Sequence, residues 1–309
     1  MSILEISTGK KKQPINVVLC GGQGVGKTTW GAMAPRPVFV GAEETGEMDI
    51  ARFPKPKTFA ELMQQIDHLI KNKGLGYESL VVDTLDSVES LVHREILDSD
   101  PKKTGSMIAA LGGYGKAYGV AETRLLEMRD RFVSLRDEYG MNIIMLAHIK
   151  KVQAVDAMLA LSYDTYELAM HARAQAVFTD WASAVLFATY IVHPTAGTGT
   201  DRIFASGEGK RVMLTEKRPS HLAKNRFSLP YEMDLDFTVF KSAVDKFYES
   251  GPTAQGITNV IVGLCENVDQ DLKVKVMAQV ESAKGSLPKL QKIETRLREV
   301  IQNGVSANA

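Results

Sequence analysis

The sequence predicts an α/β protein whose mixed, mainly parallel sheet is flanked by helices. Short continuous apolar runs, typical of strands buried on both faces, alternate along the 309-residue chain with amphipathic helical segments. A glycine-rich segment, 21–26, joins the first of these strands to a helix. Two further strand-like segments, 202–205 and 211–215, flank a Ser-Gly-Glu-Gly turn and predict an antiparallel β-hairpin after the parallel core.

Individual elements follow from the same patterns. Buried strands are expected at 15–20, 38–40, 79–82, 142–147 and 182–190. Helices are expected at 27–34, 58–71, 87–97, 120–138, 166–178 and 237–248. Thr58 is a suitable N-cap because its hydroxyl can accept a backbone N–H. The segment 100–119 lacks apolar periodicity and is predicted to be a long surface loop, which is uncommon unless functional. The segment 150–163 fits neither pattern clearly.

The chain is expected to form one large domain, 1–250, followed by a helical C-terminal extension, 251–309. Gly251 and Pro252 mark the boundary. The extension contains an apolar stripe, which favours ordinary helix packing over a partner-binding helix. The stripe consists of Leu287, Leu290, Ile293, Leu297 and Ile301.

Composition excludes several classes of protein. The 37 basic and 37 acidic side chains give a net charge of zero, which argues against a globally basic nucleic-acid binder but not against a local basic patch. Cys20 and Cys265 lack metal-ligand spacing and are expected to be free thiols. No apolar run reaches the length of a membrane span. We therefore expect a soluble, cytoplasmic protein without a membrane partner.

The clearest motif is Gly21-Gly22-Gln23-Gly24-Val25-Gly26-Lys27-Thr28, which fits the Walker A pattern G-x-x-x-x-G-K-[ST] without deviation. Its glycines let backbone N–H groups turn toward phosphates, and the following helix adds partial positive charge. Lys27 is expected to reach the β- and γ-phosphates, and the Thr28 hydroxyl to ligate Mg²⁺. These residues, with Thr29, are the predicted site for ATP and Mg²⁺, although the motif itself does not distinguish ATP from GTP.

A second part of this site is expected at Asp83, which ends the buried run Leu80-Val81-Val82. We expect this strand to lie next to the P-loop strand, so that Asp83 can hold Mg²⁺ through water. Thr84 and Asp86 are expected to be turn and helix-cap residues. Hydrolysis also needs a carboxylate that orients or deprotonates water, and no acid directly follows Asp83.

The missing carboxylate is expected after the second strand, in Phe39-Val40-Gly41-Ala42-Glu43-Glu44. Here the sequence resembles the RecA/RadA recombinase family, in which a catalytic glutamate follows this strand. The resemblance implies that Glu43 activates water, with Glu44 as the alternative. It also implies that His148, at the end of the strand Met145-Leu146-Ala147, takes the place of the polar sensor of the γ-phosphate, since histidine can donate a hydrogen bond to phosphate.

A later segment, 224–230, is similar to the Lys-Asn-Lys…Pro segment of the RecA recombinases. There, two basic residues reach across a subunit interface to the neighbour's γ-phosphate and offset charge during phosphoryl transfer. The resemblance implies this role for Lys224 and Arg226, with Lys217 and Arg218 as alternatives.

The resemblance further implies two loops that contact single-stranded DNA, 100–119 and 150–173. Cationic and aromatic side chains suit a strand's backbone and its stacked bases. The candidate cations are Lys102, Lys103, Lys116, Lys150, Lys151 and Arg173. The accompanying aromatic and histidine residues are Tyr114, Tyr118, Tyr163, Tyr166 and His171.

The resemblance covers about residues 15–236. Within the superfamily, the small size, the missing N-terminal domain and the Gly113-Tyr114-Gly115-Lys116 stretch are similar to phage-encoded RecA-like ATPases that anneal or pair single-stranded DNA. This implies a DNA-dependent ATPase of phage recombination in the host cytoplasm. It also implies a homo-oligomeric ring or filament with ATP between subunits, and a single-strand-binding protein as a further partner. A helicase-like motor or loader, and an ATP-gated assembly or regulatory protein with little turnover, stay open as alternatives.

Overall fold

The computed structural model describes residues 10–43, 46–156, 161–196, 203–206, 209–251 and 254–306. The chain divides into two compact units. The larger comprises residues 13–245, and the smaller contains the chain from Lys246 on together with described residues 10–12. Among the described helices, none combines the length and apolar character needed to cross a membrane.

Thirteen strands lie in the described part of the chain. They are β1 (Asn16–Gly21), β2 (Pro37–Val40), β3 (Ala51–Arg52), β4 (Ser79–Asp83), β5 (Asn142–Ala147), β6 (Ile149–Asp156), β7 (Leu161–Leu168), β8 (Ala184–Tyr190), β9 (His193–Ala196), β10 (Ile203–Ser206), β11 (Arg211–Leu214), β12 (Lys224–Asn225) and β13 (Glu232–Asp234). Nine of them form a central sheet in the order β3-β2-β4-β5-β1-β8-β11-β13, with β12 also paired to β8. From β3 to β8 the strands are parallel, and β11, β12 and β13 are antiparallel additions. The predicted mixed sheet with a parallel centre is thus confirmed.

The α-helices in the same ranges are α1 (Lys27–Ala32), α2 (Phe59–Lys71), α3 (Leu85–Ser99), α4 (Lys116–Asp137), α5 (Ala172–Thr179), α6 (Phe237–Glu249), α7 (Ala254–Leu264), α8 (Gln270–Ser282) and α9 (Leu287–Ser306). As predicted, Thr58 is the N-cap of α2, and its hydroxyl accepts the N–H of Glu61 at 3.1 Å.

Helices cover both faces of the sheet because every second strand residue points the same way. On one face, Val18, Val82 and Met145 share a core with buried residues of α2, α3, α4 and α5. On the other face, α1 lies over the intervening residues of β2, β4 and β5, so Gly31 approaches Phe39, Val81 and Leu146. Parallel strands buried on both sides explain the continuous apolar runs.

The prediction that the strand ending in Asp83 lies next to the P-loop strand is wrong. β5 lies between β4 and the P-loop strand β1, and Met145 of β5 is in register with both Val18 and Val82. An apolar pattern identifies a buried strand but does not specify its neighbours. Because β1, β4 and β5 are parallel, their carboxyl ends still meet at one edge of the sheet.

The hairpin predicted from 202–205 and 211–215 is also wrong. β10 pairs with β9, whereas β11 joins the central sheet between β8 and β13. Val212 and Met213 of β11 are almost fully buried there. Pairing with β11 covers the backbone groups that an open β8 edge would leave unpaired.

The helix predicted at 166–178 begins only at Ala172, because β6 and β7 form an antiparallel hairpin over the preceding residues. His171 is the N-cap of α5, and its ring accepts the N–H of Arg173 at 3.3 Å.

The expected loop 100–119 is also more ordered than its composition indicates. Asp100 is buried and accepts hydrogen bonds from Thr104 and Leu111, and α4 already starts at Lys116.

The smaller unit has its own apolar core between α7, α8 and α9. Leu290 and Leu297 of the α9 stripe are buried in it, and the remaining stripe residues pack around them. The stripe therefore serves packing within this unit, as the sequence favours.

Candidate functional site

The P-loop runs from the end of β1 into α1. Gly24 and Gly26 have φ angles of +72° and +106°, a backbone region that favours glycine. The ammonium group of Lys27 folds back over the loop and donates to the carbonyls of Gly21 and Gly22 at 3.1 and 3.0 Å. Burial lowers the pKa of Lys27, and the nearby carboxylate of Asp83 opposes that shift.

Thr28 and Asp83 meet at the carboxyl edge of the sheet. The Thr28 hydroxyl donates to the Asp83 carboxylate at 2.7 Å, and Asp83 is only 3% exposed. Burial raises the pKa of Asp83, while the hydrogen bond from Thr28 lowers it. A hydroxyl and a carboxylate beside a phosphate-binding loop form the hard oxygen donor set that suits Mg²⁺, so these two residues fit a magnesium site.

Glu43 lies beside Asp83 because of a tight turn after β2. The N–H of Glu43 donates to the Asp83 carbonyl at 3.2 Å, and its carboxylate accepts from the Thr84 hydroxyl at 3.5 Å. Gly41 has a φ of +139°, and a Cβ there would lie 2.1 Å from the Asp83 carbonyl oxygen. A cavity of about 430 Å³ opens beside Glu43 and Asp83. Glu44 lies outside the described residues.

Asp86 contacts His148 and does not cap α3, although the sequence predicts a cap or turn residue at this position. Thr84 is the N-cap of α3, with its N–H donating to the Ser87 hydroxyl at 3.1 Å. One oxygen of Asp86 accepts the His148 backbone N–H at 2.8 Å, and the other lies 2.9 Å from ring Nδ1. Side-chain atoms of Glu43, Asp86 and His148 all lie within 4.8 Å of one another. The structure thus brings the predicted base and the predicted sensor together.

The family model described as an AAA domain matches residues 13–227. The chain belongs to the AAA domain family. No curated protein matches it. Membership in this family, together with the P-loop, identifies a nucleotide-binding protein of the ATPase type, whose usual ligands are ATP and Mg²⁺.

Two side chains of the AAA domain contact the P-loop but carry no sequence signal. The Tyr190 hydroxyl donates to the Gly24 carbonyl at 3.0 Å, across 166 positions. The guanidinium of Arg211 lies 3.5 Å from the Val25 carbonyl and would be 2.7 Å from a Cβ on Gly26. Tyr190 ends β8, which pairs with β1, and Arg211 begins β11, which pairs with β8. No local pattern reveals either pairing.

Lys224 and Arg226 lie away from the P-loop of their own chain. Lys224 of β12 pairs with Val185 of β8. The N–H of Arg226 donates to the carbonyl of Ser183, the residue before β8, so Arg226 lies at the amino end of that strand. The Lys224 ammonium donates to the carbonyls of Thr179 and Asp180 at 2.9 and 2.7 Å, at the end of α5. Burial and the nearby Arg226 lower the pKa of Lys224. The structure therefore does not bring Lys224 and Arg226 to the P-loop of their own chain.

The candidate DNA-binding cations occupy two regions of the AAA domain. Lys102, Lys103 and Lys116 are exposed, and Lys103 donates to the Asp98 carbonyl. On the β6–β7 side, the cations have protein partners: Lys150 donates to the Met170 carbonyl at 2.6 Å, Lys151 pairs with Asp164 at 2.7 Å, and Arg173 lies 3.6 Å from Glu122.

A second carboxylate of α3, Glu89, holds the segment that follows β7, at the base of the β6–β7 hairpin. It is 5% exposed and accepts the backbone N–H of His171 at 3.0 and 3.2 Å. Burial raises the pKa of Glu89 to about 7, although this hydrogen bond opposes the shift. The His171 ring stacks on Tyr118 with 3.9 Å between ring centroids. Sequence reasoning assigned no role to Glu89.

Proposed function

We propose that the protein is a phage-encoded RecA-like ATPase that hydrolyses ATP in response to single-stranded DNA and acts in recombination or annealing. The position of His148 supports this most directly. It follows β5 at the carboxyl edge of the sheet, within reach of Glu43, and hairpin β6–β7 begins at the next residue. One strand end therefore connects the candidate hydrolysis site to a hairpin with cationic and aromatic side chains.

In the proposed reaction, the P-loop binds the triphosphate, and Thr28 and Asp83 hold Mg²⁺. Bound Mg²⁺ supplies charge neutralisation on the phosphate oxygens. Lys27 adds a second positive charge, and Glu43 orients the attacking water and accepts its proton. The short backbone contact between Glu43 and Asp83 supports this division of roles, because it keeps the base next to the metal-binding carboxylate.

The proposed DNA interface is the β6–β7 hairpin and the segment beside it. Tyr163 and Tyr166 are 37% and 41% exposed. They line a cavity of about 360 Å³ together with Lys217 and Arg218. Aromatic faces for stacking and cations for phosphates are what an unpaired strand requires.

We propose a homo-oligomer, ring or filament, in which Lys224 and Arg226 act on the nucleotide of a neighbouring copy. Arg226 is exposed, and both residues lie toward the sheet edge opposite their own P-loop. Cationic groups supplied in trans stabilise the charge that develops during phosphoryl transfer.

The deciding test is the ATPase rate with and without single-stranded DNA. DNA should raise the rate, and Glu43→Gln should reduce kcat by about 100-fold or more while ATP still binds. Glu47→Gln, an exposed neighbour in the same loop, serves as the matched control and should retain the wild-type rate. The proposal fails if single-stranded DNA neither binds nor changes the rate. Directional unwinding of a forked duplex would instead indicate a helicase-like motor.

A further inference from the structure

We propose that Asp86 is a positioning residue of the ATP site, which fixes the orientation and the proton of His148. This inference rests on the proposed ATPase function but concerns a residue to which neither the P-loop motif nor the resemblance assigns a role. Asp86 belongs to the first turn of α3, directly after the strand that ends in Asp83.

Asp86 contacts both the backbone and the ring of His148. Oδ1 of Asp86 accepts the backbone N–H of His148 at 2.8 Å, and Oδ2 lies 2.9 Å from Nδ1 of the same residue. One carboxylate thereby fixes both the end of β5 and the plane of the imidazole ring. The side chains of Asp86 and His148 are only 18% and 23% exposed, so water competes weakly for these bonds.

The chemistry of the pair determines where the proton lies. An ionised carboxylate only accepts hydrogen bonds, so Nδ1 of His148 must carry a proton. Nε2 is then the nitrogen that remains for the nucleotide or its attacking water. A neutral ring in this tautomer accepts at Nε2, and it donates to a phosphate only as an imidazolium, whose charge Asp86 balances.

Capping does not account for Asp86. The N-terminus of α3 is already capped by Thr84 and Ser87. Glu89, three residues further along the helix, offers a useful comparison, since its carboxylate holds a backbone N–H of His171 and no ring nitrogen of that residue. Asp86 thus contacts the backbone and the ring of one histidine, whereas Glu89 holds the backbone of His171 and lies 3.6 Å from the ring of a different histidine, His93.

Asp86→Asn tests the role with little change in size. The amide oxygen can still accept the His148 backbone N–H, but the NH₂ group then faces Nδ1 and donates to it. The proton should move to Nε2. Nitrogen NMR of histidine side chains should show Nδ1 protonated in the wild type and Nε2 alone protonated in Asp86→Asn, with the signal assigned through His148→Gln. Glu89→Gln should leave the His148 signals unchanged.

Kinetics give the second readout. Loss of a carboxylate that orients a functional histidine should reduce kcat by about 10- to 100-fold, with the KM for ATP changed far less. A wild-type His148 protonated only at Nε2 would overturn the proposal, as would an Asp86→Asn enzyme with normal kcat. If that variant does not fold, the wild-type spectrum alone decides the proton position. If the wild type shows the expected tautomer but never hydrolyses ATP, the proposed function fails while the placement of His148 by Asp86 stands.

Discussion

The hydroxyl of Thr28 and the carboxylate of Asp83 are 2.7 Å apart, although 55 positions separate them in the chain. β4, which ends in Asp83, is not adjacent to the P-loop strand, since β5 lies between the two. The contact is possible because a parallel sheet brings the carboxyl ends of its strands to one edge. It places the hydroxyl of the P-loop next to the most buried carboxylate of the site.

Thr28→Ser should preserve Mg²⁺-dependent hydrolysis, and Thr28→Val should abolish most of it. Serine retains the hydroxyl that contacts Asp83, whereas valine keeps the shape and removes the oxygen. A Mg²⁺ titration of the ATPase rate measures the effect, and the valine variant should need a much higher Mg²⁺ concentration. Equal Mg²⁺ dependence of the two variants would contradict a ligand role for Thr28.

Gly41→Ala should impair hydrolysis and stability together. The new Cβ would lie 2.1 Å from the Asp83 carbonyl oxygen, and the φ of +139° is unfavourable for alanine. Displacement of this turn would carry Glu43 away from Asp83. Gly46→Ala is the matched control, because a Cβ there meets no atom within 4 Å. Thermal denaturation and ATPase assays of both variants test this, and similar behaviour of the two would refute it.

Tyr190→Phe should weaken ATP binding by several-fold. The hydroxyl holds the Gly24 carbonyl at 3.0 Å, and a single hydrogen bond of this kind contributes about 1 kcal/mol. The expected change is a higher KM for ATP at nearly constant kcat. Tyr139→Phe, near the amino end of β5 and far along the sheet from the P-loop, should leave both parameters unchanged.

Glu89 should make the fold less stable as the pH rises. Burial raises its pKa from the usual 4.5 to about 7, so between these values the folded state keeps a proton that the unfolded state has released. The stability contribution is complete below pH 4.5 and is lost as the pH passes 7. Glu89→Gln cannot ionise, so its melting temperature should rise relative to the wild type between pH 5 and pH 8. Glu95→Gln, at a more exposed position of the same helix, controls for the loss of a carboxylate from α3.

Local features of the site could be predicted from the sequence. The P-loop motif, the N-cap at Thr58 and the position of Asp83 at a strand end depend on residues close together in the chain. The candidate roles of Glu43 and His148 come from resemblance to a family, and the structure brings atoms of the two side chains within 4.8 Å of each other.

Features that depend on distant pairing could not be predicted. The position of β5 between β1 and β4, and the pairing of β11 with β8, follow from packing of the whole sheet rather than from any local pattern. Tyr190 reaches the P-loop because β8 pairs with β1, and Arg211 reaches it because β11 pairs with β8. Asp86 resembled a cap residue, since an acid in the first turn of a helix is common whatever it contacts.

The two carboxylates of α3 restrict how the β6–β7 hairpin can move. Asp86 holds the residue before the hairpin and Glu89 holds a residue shortly after it, and both project from one rigid helix. A displacement of α3 would move the residues before and after the hairpin, His148 and His171, together in the same direction. One strand would then not slide along the other. The hairpin would then move as a single body with its strand register intact, and the helix that begins beside Asp83 would set its position.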